Sequence, residues 1–283
     1  MDEQTKREIE LLPEALSNQL LKTVSNVIEQ SGMFFRAFAR KKTSESTEKK
    51  FALKGYSESK KMQDLFGVRI ALYFKDDVPI CEKLINKKFI VTDHSIDPLD
   101  KEVFKPVRIN YVCKLPEEIK SEIPDKFWNS SFIDDTFEIQ IRTVFSEGWH
   151  EIEHDMRYKC KSEWISEDDM SRALNGIFAT LETCDWSILS LFDQMAHKKY
   201  KAHEWESMLR NKLRLRVKDG KLNENIVRIL NENNNIAKEL LKVNRFDLIL
   251  QIAEDPLKHL PKTIDNLVYF MNYLYIQDEQ IKK

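Results

Sequence analysis

The chain has 283 residues, 42% hydrophobic and 33% charged, which suits one large domain, or one of about 150–200 residues plus an appendage, and excludes a disordered or fibrous class. Forty-five Lys and Arg against 47 Asp and Glu leave a net charge of −2, so any basic site must be local rather than a whole-molecule attraction to nucleic acid or anionic lipid. Six dispersed glycines exclude the Rossmann and P-loop fingerprints, four separated cysteines form no C-x-x-C pair, and no run approaches eighteen uncharged apolar residues. A cytoplasmic protein without membrane contact is expected.

In chain order, residues 14–39 carry Leu16, Leu20, Leu21, Val24, Val27 and Ile28 at helical spacing, with Pro13 placed to start a helix. The basic, polar run at 40–50 (RKKTSESTEKK) has the composition of a linker. Residues 65–74 (LFGVRIALYF) read as a buried central strand, 77–88 as a helix, and 89–93 and 107–115 as strands. Residues 137–142 (FEIQIR) alternate strictly, and from about 144 to 209 the pattern is helical. Prolines are absent between Pro124 and Pro256, consistent with long helices, and the last eighty residues read as short amphipathic helices. The expected fold is α/β, a mixed β-sheet flanked by helices. A C-terminal α-helical region follows, divided as 1–205 and 206–283 at a soft boundary.

In FEIQIR, Phe137, Ile139 and Ile141 face a core while Glu138, Gln140 and Arg142 form a polar row that holds either a structural ion pair or a ligand. Arg69, inside an apolar strand, requires an anion. Asp64 at the mouth of that strand could answer it with a salt bridge, or could join Glu138 in an oxygen-ligand site for Mg²⁺. Arg40, Lys42, Ser46 and Lys50, spaced R-x-K-x₃-S-x₃-K, make a cationic comb suited to a triphosphate.

This comb, DLFGVR at 64–69, EIQIRT at 138–143 and WHEIEHDMRYK at 149–159 occur in the order and spacing of the motifs of the RelA/SpoT (p)ppGpp synthetase domain, which the chain resembles over residues 40–159. The resemblance implies an ATP- and Mg²⁺-dependent pyrophosphokinase that moves the β,γ-pyrophosphate of ATP to a ribose 3′-hydroxyl. Arg40 and Arg69 would sandwich the adenine, Lys42 and Lys50 would hold phosphates with Ser46, and Asp64 and Glu138 would hold the metal. Gln140 and Arg142 would line the cleft, Glu138 would help deprotonate the acceptor, and His154 and Lys159 would support the site from the following helix. The family's G-Y-x-S-x-H acceptor segment aligns with residues 105–110, where Pro106, Arg108 and Asn110 replace Tyr, Ser and His. A guanine acceptor would then need another platform, Phe104 or Tyr111. The resemblance implies as acceptor a guanosine or adenosine nucleotide or the 3′-terminal adenosine of tRNA. The last would make the chain a toxin, with a neutralising antitoxin as partner.

Three competing readings remain. HEIEH at 150–154 satisfies the H-E-x-x-H pattern of a zinc protease, with Glu167 or Glu182 eligible as third ligand. The altered acceptor segment also fits an inactive, synthetase-fold binding module. Arg210, Lys212, Arg214, Arg216 and Lys218 alternate with Leu213, Leu215 and Val217, as an RNA-tracking edge or a solvated charged face. Trp149, Trp186 and the Tyr269, Phe270, Tyr273 and Tyr275 cluster read as packing.

Overall fold

The computed structural model describes residues 1–98, 104, 107–130, 132–218, 220–254 and 261–281. Two helices, α1 (Glu3–Leu11) and α2 (Glu14–Glu29), precede strand β1 (Phe35–Lys41) and helix α3 (Ser44–Lys54). Next come β2 (Phe66–Leu72), α4 (Val78–Lys88), β3 (Val91–Ile96) and β4 (Ile109–Lys114). The short helices α5 (Glu117–Lys120) and α6 (Asp125–Ser130) lead into β5 (Thr136–Thr143) and α7 (Val144–Ile152). A π-helical turn, Glu153–Tyr158, continues α7 before the long α8 (Asp168–Lys201). The chain closes with α9 (Trp205–Leu213), α10 (Glu224–Glu232), α11 (Asn234–Lys242), α12 (Arg245–Glu254) and α13 (Ile264–Met271).

The strands form one sheet in the order β1-β2-β5-β4-β3. β2 and β5 pair in parallel, and the other three pairings are antiparallel. The expected mixed sheet is therefore present, with helices flanking it and helices following it. Leu16, Leu20, Val24 and Ile28, one turn apart on α2, are all at most 1% exposed, and α4 contributes Ile80, Cys81, Leu84 and Ile85 beside them. Together they cover the sheet face that carries Val68, Ile70, Ile139 and Ile141, burying the apolar half of each alternating strand. The opposite face keeps its polar residues.

The structure changes several sequence expectations. The helix expected over 14–39 stops at Glu29, and 35–41 is the edge strand β1. Gly32, at φ +78°, supplies the left-handed residue that ends the helical course. Beyond it the apolar period falls from 3.6 to 2. Phe35, Ala37 and Ala39 alternate inward against exposed Arg36, Phe38 and Arg40. The linker-like run at 40–50 is ordered structure. Thr43 accepts the Ser46 backbone N–H to cap α3, while Lys41 donates to the carbonyls of Ile9 and Leu12 at 3.1 and 2.5 Å and closes the end of α1. The stretch from 144 to 209 is helical but broken after the π-turn and again at His203, where φ is +57°.

The 205/206 division falls inside α9, whose first residue, Trp205, is 2% exposed and donates its indole N–H to Asn231 at 2.8 Å. One buried apolar cluster extends from Ile9 to Ile281. The basic alternation at 210–218 is largely folded in. Arg214 is buried and ion-paired to Asp76 at 2.5 Å and Asp193 at 3.3 Å, and Leu213 and Leu215 are core residues. Arg210 is tied to Glu206, and Arg216 lies over the rings of Phe34 and Phe35. Trp149 is buried as expected, but Trp186 is 57% exposed, and Tyr273 and Tyr275 also face outward. Among the described residues, no helix is long and apolar enough to cross a membrane.

Candidate active site

The polar face of the sheet is assembled by register. Arg40 of β1 pairs with Gly67 of β2, Gly67 pairs with Glu138 of β5, Arg69 pairs with Gln140, and Gln140 pairs with Asn110 of β4. Paired residues on adjacent strands point to the same side, so four strands contribute to one row. Gly67 matters through what it lacks: with no side chain between Arg40 and Glu138, the floor of the row stays open. A cleft of about 460 Å³ results, lined by Phe38, Arg40, Lys42, Asp64, Arg69, Glu138 and Gln140 among others.

Asp64 sits just before β2 and is approached by two lysines, Lys42 just after β1 and Lys50 of α3. Lys42 Nζ lies 3.0 Å and Lys50 Nζ 2.5 Å from Asp64 Oδ2. Burial alone would raise the Asp64 carboxyl, but the two ammonium groups outweigh it and hold the group below its usual range. Its other oxygen, Oδ1, is buried and accepts no hydrogen bond among the described residues. A buried carboxylate oxygen without a partner, in a cleft that also holds Glu138, is hard-oxygen chemistry of the kind Mg²⁺ takes. Glu138 is aimed by two amides: Asn110 Nδ2 donates to Oε1 at 2.9 Å and Gln140 Nε2 to Oε2 at 2.7 Å. Each oxygen keeps further lone-pair capacity. The Asp64–Arg69 salt bridge weighed from sequence is not formed: Asp64 pairs with Lys42 and Lys50, and Arg69 turns to Glu147 and Glu151.

Arg69 donates Nε to Gln140 Oε1 at 3.2 Å and Nη1 to Glu147 Oε1 at 2.7 Å, and also pairs with Glu151. Arg142, 9% exposed, donates to the second oxygen of Glu147 at 3.0 Å. Glu147 thus spans two guanidiniums and fixes both where α7 leaves the sheet. Arg40 makes no hydrogen bond or ion pair among the described residues and presents its planar cation to the cleft. Phe38, on the same edge and 55% exposed, sets an aromatic ring beside it.

Arg40, Lys42, Asp64, Arg69, Glu138 and Gln140 therefore line one cleft, and Lys50 joins through Asp64. Arg142 is held at its edge through Glu147 and Gln140. Ser46 lies in the first turn of α3, exposed, accepting from Thr43 Oγ1 at 3.0 Å. His154 and Lys159 are not among the cleft-lining residues; both engage Asp155, at 2.9 and 2.7 Å. Phe38 and Glu147 had no place in the sequence reading, which met Asn110 only as a replacement in the acceptor segment and Glu151 only within the H-E-x-x-H pattern. Two arginines destined for burial on adjacent strands, followed by acids at i and i+4 of the next helix, were the signal for Glu147 and Glu151.

On the acceptor side, Pro106 lies outside the described residues. Arg108 forks onto Asp97, with Nε and Nη2 at 2.8 and 3.0 Å from the two carboxylate oxygens. Tyr111 cannot be a base platform: it pairs with Ile139 on the core face, is 5% exposed, and donates to Glu82 at 2.8 Å. Phe104 is 55% exposed.

The H-E-x-x-H reading fails on its central acid, because Glu151 is ion-paired to Arg69. His150 is pushed down to about 4 by burial, with the Arg142 and Arg69 charges adding to it. Its ring stacks 6.3 Å from that of His154, and among the described residues no group of three or more His, Cys, Asp or Glu is arranged to hold a metal.

Residues 39–163 match the family model for the region found in RelA and SpoT proteins. No curated protein matches the chain. Among solved structures, the small alarmone synthetase 1 from Bacillus subtilis bound to its product pppGpp is similar at a TM-score of 0.52 and 23% identity, covering 67% of this chain and 97% of that one. A GTP pyrophosphokinase family protein from Streptococcus pneumoniae is similar at a TM-score of 0.51 and 19% identity, covering 66% of this chain and 92% of that one. Residues 39–163 thus match a region found in RelA and SpoT proteins, and the chain shares the fold of the small alarmone synthetases.

Proposed function

We propose that the chain is a pyrophosphokinase that transfers the β,γ-pyrophosphate of ATP to a ribose 3′-hydroxyl and releases AMP. The observation that carries this reading is the convergence of Arg40, Lys42, Lys50, Asp64, Arg69 and Glu138 on one cleft. Arg40 and Arg69 supply planar cations for the adenine faces, and Phe38 extends the platform. Lys42 and Lys50 now neutralise Asp64; a triphosphate entering the cleft would draw both onto its oxygens. Asp64 and Glu138 would hold Mg²⁺, which would supply charge neutralisation on the phosphates.

The acceptor oxygen attacks the β-phosphorus, the bond from that phosphorus to the α,β-bridging oxygen breaks, and AMP leaves with that oxygen. Glu138, aimed by Asn110 and Gln140, is the carboxylate placed to take the acceptor's proton. Positioning and charge compensation carry most of such a reaction, which suits a site whose charged groups are already braced by neighbours. His154 and Lys159, engaged with Asp155, are not required for this assignment.

The acceptor is a ribose not stacked on Tyr111. The test is incubation of pure protein with Mg²⁺, γ-labelled ATP and, separately, GDP, GTP, ADP, unlabelled ATP and bulk tRNA, scoring label on the acceptor and AMP release. Label on a nucleotide assigns an alarmone synthetase. Label on tRNA alone assigns a translation-blocking toxin that needs a neutralising partner. Label on none, with no AMP, overturns the catalytic reading in favour of a binding module.

A further inference from the structure

Thr143 ends β5 and opens α7, and its hydroxyl is engaged in both directions. The oxygen accepts the Ser146 backbone N–H at 3.1 Å, capping the helix, while the proton goes to Asp185 Oδ2 of α8 at 2.7 Å. Thr143 and Asp185 are each 2% exposed. Burying that acid is unfavourable. Desolvation raises the Asp185 carboxyl above its usual range, with Glu182 adding to it, against the Thr143 hydrogen bond and the Lys75 charge. Its second oxygen, Oδ1, accepts no hydrogen bond among the described residues.

Capping alone does not require the acid. Helix α3 opens on the same Thr-x-x-Ser pattern, with Thr43 accepting the Ser46 amide at 3.2 Å, and there the hydroxyl proton stays within the turn, on Ser46 Oγ. What Asp185 adds is a tether between helices. It fixes the start of α7 to α8, and Trp149, donating its indole N–H to the Leu174 carbonyl at 3.3 Å, fixes the stretch beyond. Between these two points stands Glu147, the carboxylate that holds Arg69 at 2.7 Å and Arg142 at 3.0 Å. We infer that Asp185 is a positioning residue for the cleft: through Thr143 it sets where α7 leaves the sheet, and thereby where Glu147 holds Arg69. The inference rests on the pyrophosphokinase reading, in which Arg69 lies against the adenine of ATP. The adenine is remote from the phosphorus attacked, so a displaced Arg69 weakens ground state and transition state alike and moves KM rather than kcat.

Calorimetric binding of a non-hydrolysable ATP analogue, beside steady-state pyrophosphate transfer and urea titration, tests this. Asp185→Leu should weaken the analogue and raise the KM for ATP about tenfold, with kcat within about twofold of wild type. Asp185→Asn, which keeps an oxygen for the Thr143 hydroxyl, should bind within about twofold of wild type. Thr143→Val should match Asp185→Leu, and carries the same prediction if the Leu variant fails to fold. On an Arg69→Ala background, Asp185→Leu should change affinity by less than about twofold, because the two act in series. An acid that served only the core would move the urea midpoint and leave affinity alone. Wild-type affinity and KM in Asp185→Leu and Thr143→Val overturn the inference. So does an Asp185→Asn loss equal to that of Asp185→Leu, or a full further loss on the Arg69→Ala background. A wild type that binds the analogue but transfers nothing to any acceptor overturns the catalytic reading instead, and the binding measurements still decide for or against the tether. A wild type that binds no analogue overturns both.

Discussion

At the scale of single residues, Asp64 and Glu138 do different work under the proposed chemistry, and conservative changes separate them. Asp64→Asn removes the anion that occupies Lys42 and Lys50, so both lysines are released to phosphate. ATP affinity without metal should hold or rise, while kcat/KM falls at least about a hundredfold, ~2.7 kcal/mol of lost transition-state stabilisation. Glu138→Gln keeps a partner for the Gln140 and Asn110 amides and should lose turnover without losing stability. Equilibrium ATP binding beside steady-state kinetics checks both; wild-type turnover in either variant removes the metal assignment. His150 offers a pH test. Its folded value is about 4 against an ordinary value of 6.5, because burial and two guanidiniums oppose its protonation. Between those values the unfolded chain binds a proton that the folded chain refuses, so stability falls as pH drops from 6.5 toward 4. Thermal melts across that window should show the loss in the wild type and a smaller one in His150→Gln.

At the scale of elements, what was legible followed periodicity. FEIQIR declared both of its faces, because strict alternation leaves only one pleat that buries Phe137, Ile139 and Ile141. The apolar run around Arg69 likewise declared a central strand. Its partner β1 did not. Phe34, Phe35 and Phe38 also satisfy a helical stripe, and only the left-handed Gly32, a single residue, marks the change of period. The acids of α7 were equally silent, since Glu147 and Glu151 at i and i+4 look like any solvated helix face until the strands set two arginines beneath them. Helix α3 begins within a run that has only the composition of a linker, yet its start decides where Ser46 and Lys50 stand. Thr43 is its cap, with the side chain accepting from the Ser46 amide at 3.2 Å. Thr43→Ala should cost ~1 kcal/mol of stability, and Thr43→Ser should recover most of it. Under the proposed function the Ala variant should also raise the KM for ATP with kcat nearly unchanged, because fraying α3 loosens Lys50 without touching the carboxylates. Urea titration and initial rates measure the two effects separately.

At the scale of the whole molecule, the question is whether residues 206–283 are an appendage or part of the structure that holds the cleft. Composition could not answer it, because Tyr200 to Trp205 carries neither a linker nor an obvious continuation, and the arginines that answer it lie far apart in sequence. Asp77, fully buried at the start of α4, is ion-paired to Arg245 of α12 at 2.6 Å. The same guanidinium reaches Asp76 at 3.3 Å and donates Nε to the Leu213 carbonyl at 2.7 Å, while Arg214 also closes on Asp76. Helix α4 packs beneath the sheet whose other face bears the site, so this buried cluster ties the C-terminal helices to the wall that positions Arg69 and Glu138. Burial already raises the Asp77 carboxyl, and Arg245→Ala removes the cation that opposes this and leaves a buried acid without its partner, for which the expected loss is ~3–5 kcal/mol. Arg245→Met combined with Asp77→Leu removes both charges and should return most of it, since a buried pair adds little over well-packed apolar side chains. Urea unfolding should remain a single transition in the wild type and in the double variant. A first transition confined to the C-terminal helices, or a midpoint for Arg245→Ala equal to wild type, would show that the two parts stand independently.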